Sequence, residues 1–256
     1  MIKTNEVLKY IGVIGVSLFY MILLIFAQLS FQTTVENDNL KLMIALGMGI
    51  LFPLLIYFLN NIYFNYVNLD PPKLLKLNQR LIKKIMIGVF IGLLALYISG
   101  LIFYFQTKDI ANFFFKVSFN LVIFNILTAI GEEIIFRGTL LNFFVQKHNQ
   151  YIGLVISSLL FASIHLLNML MGQEISLSFL LTLTLAGIFL GLIYLNFGLV
   201  SAIATHYIWN LLHAGANFDE QSGYTVQIVL TLLCIGLFYR NWKNLNTEKM
   251  PTANKV

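Results

Sequence analysis

The sequence predicts an all-α polytopic membrane protein, a bundle of about eight transmembrane helices forming a single membrane domain over residues 1–256. Three observations predict it. Of the 256 residues, 59% are hydrophobic and only 11% are charged, against about 25% charged in soluble proteins. Aromatic residues reach 14%, mostly Phe and Tyr, which suits lipid-facing and interfacial positions. Apolar runs long enough to cross a bilayer recur along the whole chain, separated by short charged or turn-forming stretches.

A spanning helix needs about 20 predominantly apolar residues. Runs of that kind fall at roughly 8–30, 40–62, 84–106, 115–137, 151–171, 176–196, 198–214 and 224–241. The first follows Lys3 and Lys9. It outlasts the ~7–15 residues of a signal-peptide core, and no A-x-A cleavage pattern follows, so it reads as a retained helix. Only Pro53 interrupts a span. Between the second and third runs, residues 70–84 carry Lys73, Lys76, Arg80, Lys83 and Lys84. Pro71 and Pro72 predict a stiff break there, before a short interfacial amphipathic helix. The links after 171 and 196 are short and predict antiparallel hairpins.

Charge sets the expected topology. The basic 70–84 segment and the tail, with Arg240, Lys243, Lys249 and Lys255, belong in the cytoplasm. The loops near Glu36 and Asp38, Glu174, and Asp219 and Glu220 fit the outside. The loop with Lys108, Asp109 and Lys116 is mildly basic and fits least. An even number of spans puts both termini in the cytoplasm, with the protein in the plasma membrane. The net charge of +5 is spent on these flanks, which argues for a lipid bilayer and against nucleic acid as a partner. Cys234 is the sole cysteine and offers neither an internal disulfide nor a cysteine metal cluster.

Against this background Glu132 and Glu133 stand out. Of eleven acidic residues, they alone fall inside a predicted span, after residues 117–131, which hold no charge. An ionised group at a helix centre in hydrocarbon costs about 2.5–3.5 kcal/mol on the most lenient scale, so such groups are functional by default. Glu133 and Arg137 are i and i+4 and can pair. Glu132 points about 100° away. Asn125, Thr128 and Glu132, spaced by three and four, form a polar stripe directed at the protein interior. Phe161 lies one turn before His165, with Asn168 three residues beyond, and His206 and Asn210 project together, with His213 two turns on.

Each motif alone has a structural explanation: an ion pair, a hydrogen-bonded packing histidine, and interhelical polar packing. On three helices of one bundle they can converge. A carboxylate beside an imidazole can take a proton from water and make it a nucleophile. A second histidine and an amide can donate hydrogen bonds to the oxyanion of a tetrahedral intermediate. Those are the parts for peptide hydrolysis without a nucleophilic side chain. The same Glu132, His165 and His206 could instead hold Zn²⁺ with an open position, and both chemistries stay open at this stage. No H-E-x-x-H, P-loop or G-x-S-x-G is present.

The ordered set E-E-x-x-x-R at 132–137, F-x-x-x-H at 161–165 and H-x-x-x-N at 206–210 resembles the motifs of the CPBP/Abi family of intramembrane proteases, which includes the type II CAAX prenyl endopeptidases. The resemblance covers residues 115–214, the expected catalytic core helices. It implies an intramembrane endopeptidase with a cytoplasm-accessible site, acting on a membrane-associated peptide or protein substrate. It implies that Glu132 activates water with help from His165, that His206 and Asn210 form the oxyanion side, and that Glu133 and Arg137 support them. Family members are commonly labelled metalloproteases, and a metal-independent glutamate mechanism has also been put forward. Bacterial members are linked to bacteriocin self-immunity and peptide maturation. Two other functions use the same residue types: a proton-coupled transporter, and a non-catalytic immunity or partner-binding membrane protein.

One geometric conflict comes with these boundaries. Glu132 falls ~22 Å from the outer end of helix 115–137, and His165 ~21 Å from the inner end of 151–171. In a ~30 Å core their depths then differ by roughly 10 Å. The apolar continuation LLNFFVQ at 140–146 predicts that the fourth helix starts later and runs past Arg137.

Overall fold

The computed structural model describes residues 7, 9–19, 22, 52–66, 69–70, 80–108, 119–171, 174–213 and 220–249. Among them the chain is helical, with no strand. The helices are α1 (Lys9–Phe19), α2 (Phe52–Tyr66), α3 (Arg80–Thr107), α4 (Phe119–Glu133), α5 (Asn142–Lys147), α6 (Gln150–Ile164), α7 (Leu177–Phe197), α8 (Leu199–His213) and α9 (Glu220–Lys249). A π-helical segment, Ile134–Leu141, joins α4 to α5, and a 3₁₀ segment, His165–Met171, continues α6. The expectations at Glu36, Asp38, Pro71, Pro72, Lys73, Lys76, Asp109, Lys116, Asp219 and Lys255 lie outside the described residues. So do the side chains of Asn168 and His213.

Three stretches among the described residues are long and apolar enough to cross a membrane: Arg80–Ile102, Gln150–Leu167 and Leu177–Phe197. Large apolar side chains point outward along the bundle, among them Phe19, Phe58, Phe90, Tyr97, Phe105, Leu232 and Ile235. Contiguous exposure of that kind is not tolerated in water and is what lipid requires. The protein is an integral membrane protein of the all-α class.

The fourth helix follows its apolar continuation. Among the described residues it runs unbroken from Phe119 through the π segment to Lys147, ten residues past the expected end at 137. A turn at His148 then leads into α6, where the Asn149 side chain accepts the Tyr151 and Ile152 amides at 2.9 and 3.0 Å. This removes the depth conflict. Glu132 stands as far before Lys147 as His165 stands after Gln150, fifteen residues in each case, or about 22 Å at 1.5 Å per residue. Three other boundaries move. The expected span 151–171 divides at His165 into α6 and the 3₁₀ segment, the helix expected over 40–62 reaches Tyr66, and the last helix extends over Glu220–Lys249.

Two Gly-x-x-x-Gly pairs bring helices close, as small residues do where lipid gives helices no hydrophobic drive to associate. On α3, a Cβ at Gly88 would lie 2.4 Å from the Ser201 carbonyl oxygen, and one at Gly92 would lie 3.0 Å from Ile208, both on α8. The Ser201 hydroxyl donates to the Lys84 carbonyl and the Thr205 hydroxyl to the Gly88 carbonyl, each at 2.9 Å. On α7, a Cβ at Gly187 would lie 2.9 Å from Ser158, and one at Gly191 would lie 2.5 Å from Leu154, both on α6. Gly198 alone links α7 to α8, at φ 91°, a conformation that favours glycine.

The π segment is the centre of the bundle. All eight of its residues are buried. Ile135, Phe136 and Leu140 pack with Val13 of α1, Phe64 of α2 and Phe161 and Ile164 of α6. Its widened turn shows in the bonding. The Asn142 amide reaches the Arg137 carbonyl, and the Thr139 hydroxyl reaches the Ile134 carbonyl at 3.1 Å, each five residues back. Such segments recur at functional sites.

Candidate active site

The site begins where α4 passes into the π segment. Glu133 is fully buried, at 0% exposure, and Arg137 is 1% exposed. One carboxylate oxygen of Glu133, Oε1, accepts from Arg137 Nη1 and from His206 Nδ1, each at 2.8 Å. Arg137 Nη2 donates to the Gly187 carbonyl at 3.1 Å. The guanidinium also lies 4.7 Å from the centre of the Phe161 ring, within cation–π range. A buried cation is thereby met by a carboxylate, a carbonyl and a π face, the compensation that its desolvation demands.

Glu133 therefore does more than pair along its own helix. It fixes His206, which comes from α8. With Nδ1 donating to Glu133, the Nε2 of His206 faces the second carboxylate, 3.8 Å from Glu132 Oε2. That is an ion-pair distance and too long for a hydrogen bond. His206 is 4% exposed and Glu132 9%. The four groups are two carboxylates, one guanidinium and one imidazole, all buried together.

His165 sits where α6 tightens into the 3₁₀ segment. Its Nδ1 lies 2.8 Å from the Phe161 carbonyl. A carbonyl only accepts, so Nδ1 carries the proton and the neutral ring keeps its lone pair on Nε2. The Phe161 ring meets His165 edge-on at 5.0 Å between centroids, His206 at 6.2 Å and Phe136 at 5.1 Å. Phe161 thus touches both histidines and the arginine.

Glu132, His165, His206 and Asn210 line one cavity of about 270 Å³, together with Asn125, Thr128, Phe161 and Thr205. Leu183, Phe189, Leu190 and Leu230 supply apolar wall. Glu133 and Arg137 stand behind Glu132 and His206 and are not among the lining residues. The sequence-level pattern singled out the four lining residues and the Glu133–Arg137 pair. It did not reveal the Glu133–His206 bond, the Gly187 carbonyl or Thr205. The 187–191 Gly-x-x-x-Gly spacing was the available signal for the second of these.

A carboxylate and two imidazole Nε2 atoms are zinc donors in kind. Among the described residues, however, no three His, Cys, Asp or Glu side chains form a group that could hold a metal ion, and the Glu132, His165 and His206 set is included in that.

Residues 114–212 match the family model described as Rce1-like, type II CAAX prenyl endopeptidase. No curated protein and no solved structure matches the chain.

Proposed function

We propose that this chain, whose residues 114–212 match the Rce1-like type II CAAX prenyl endopeptidase family model, is an intramembrane endopeptidase hydrolysing a membrane-associated, lipidated or leader-bearing peptide. The observation that carries this reading is the meeting of Glu132, His165, His206 and Asn210 on one cavity inside a membrane bundle.

In this reading, water binds between the Glu132 carboxylate and the lone pair of His165 Nε2. Glu132 takes a proton from the water as its oxygen attacks the scissile carbonyl carbon. The carbonyl oxygen becomes an oxyanion. The Asn210 amide and the Nε2–H of protonated His206 donate to it. His206 is suited to that proton because Glu133 accepts from its other nitrogen and Glu132 lies within ion-pair distance. The intermediate then collapses. The C–N bond breaks, Glu132 returns the proton to the leaving nitrogen, and the carboxylic acid so formed gives its own proton to water and becomes the carboxylate. Arg137 holds Glu133 and so acts through His206 without reaching the substrate.

The test is cleavage of a lipidated or leader-bearing fluorogenic peptide library by purified protein in liposomes. Glu132→Gln is expected to lower kcat by about 10²–10⁴-fold, the range of a lost general base. Asn210→Ala is expected to lower it by about 10²–10³-fold, the range of one oxyanion donor. Treatment with a zinc chelator is expected to leave kcat within about twofold, as no step runs through a metal. Full activity in Glu132→Gln would sink the protease reading. Chelator loss restored by zinc would replace the glutamate-and-water mechanism with a zinc one.

A further inference from the structure

Asn125 is a further polar group on the cavity wall, and the chemistry above leaves it unused. It lies on α4 seven residues before Glu132. Seven residues of α-helix bring a side chain back to within about 20° of the same face. Asn125, Thr128 and Glu132 accordingly all line the cavity. Asn125 is only 6% exposed, and its Nδ2 is buried with no hydrogen-bond partner. An amide N–H buried without an acceptor is destabilising, and native proteins rarely keep one without a reason. An acceptor delivered by a ligand is such a reason.

Spacing identifies the ligand group. Seven residues at 1.5 Å place Asn125 about 10 Å along the helix from Glu132. An extended peptide covers about 3.3–3.6 Å per residue. A peptide whose scissile carbonyl lies at Glu132 therefore brings a main-chain carbonyl to Asn125 about three residues away. We propose that Asn125 binds substrate, its side-chain amide donating to a peptide carbonyl about three residues from the scissile bond. This rests on the protease reading. It adds a substrate-length requirement that Glu132, His165, His206 and Asn210 do not impose.

The experiment takes the library peptide that the wild type cleaves fastest and shortens it one residue at a time from each end. Wild type, Asn125→Ala and Asn125→Leu are compared, with Glu132→Gln as the blank and thermal unfolding as the check on folding. Leucine keeps the shape of asparagine and leaves no unpaired donor, so Asn125→Leu is expected to unfold no lower than wild type. In the wild type, KM is expected to rise roughly three- to tenfold when the third residue on one side is removed, the worth of one hydrogen bond. Both variants are expected to show that higher KM on the full-length peptide, with kcat within about twofold. They are also expected to be indifferent to that third residue. An unchanged KM, a KM raised equally for peptides of every length, or a fall in kcat at constant KM would each overturn the proposal while leaving the protease reading standing. A wild type that cleaves none of the peptides would remove both.

Discussion

At the scale of single residues, Phe161 does the most with the least chemistry. Its carbonyl fixes the tautomer of His165, and its ring carries Arg137 on one side and meets His206 on another. Phe161→Leu keeps the carbonyl and removes the ring. Lost cation–π and aromatic contacts amount to about 1–3 kcal/mol of stability. A displaced His206 is expected to lower kcat by roughly ten- to a hundredfold. Thermal unfolding in detergent and cleavage kinetics measure the two effects separately, and an unchanged kcat would mean that the ring only fills space. Much at this scale was legible. Glu133 and Arg137 pair as their spacing demands, and Asn125, Thr128 and Glu132 share a wall as their spacing demands. What spacing could not give was the bond from Glu133 to His206, because it joins helices 73 residues apart and depends on how α8 is rotated.

At the scale of elements, that rotation is set by small residues and hydroxyls. Thr205 and Ser201 tie α8 to α3 carbonyls, while Gly187 lets α7 approach α6 and offers its carbonyl to Arg137. Gly187→Ala puts a Cβ within 3.0 Å of the Ser158 backbone, which cannot swing aside. It is expected to cost about 1–3 kcal/mol as an overpacked contact and to slow cleavage by moving Arg137. Gly236→Ala on α9, where a Cβ meets nothing within 4 Å, is the control. It is expected to be neutral or to gain up to about 1 kcal/mol of helix propensity. Equal loss in both variants would show that close packing at Gly187 does not matter. The helices themselves were legible from hydropathy, and the short link at Gly198 gave the pairing of α7 with α8; the tight turn at His148 was not expected, because the fourth span was ended at 137. The π segment was not legible. IIFRGTLL carries no period that separates a π turn from an α turn.

At the scale of the molecule, Lys84, Lys147 and Arg240 gather at one end, while Lys108 stands beyond the opposite end of α3 and Arg137 is in the core. Lys147 ends α5 at the turn into α6, and Tyr10 of α1 lies 3.0 Å from His148 in that turn. Lys84 lies near Gly198, and Arg240 lies 4.4 Å from the Phe197 ring. We propose that this end faces the cytoplasm, on the positive-inside pattern. In a Cys234→Ala background, a membrane-impermeant maleimide is expected to label Glu174→Cys in intact cells and His148→Cys only after permeabilisation. The reverse pattern would invert the topology.

The link at Gly198 has a mechanical consequence. It is one origin from which two grips on the same ion pair are counted. The Gly187 carbonyl that holds Arg137 lies eleven residues before it, and the His206 ring that holds Glu133 lies eight residues after it. With no slack at the junction, neither helix can slide without dragging the other. A residue inserted there would shift the registry of His206 against the arginine and both carboxylates at a stroke.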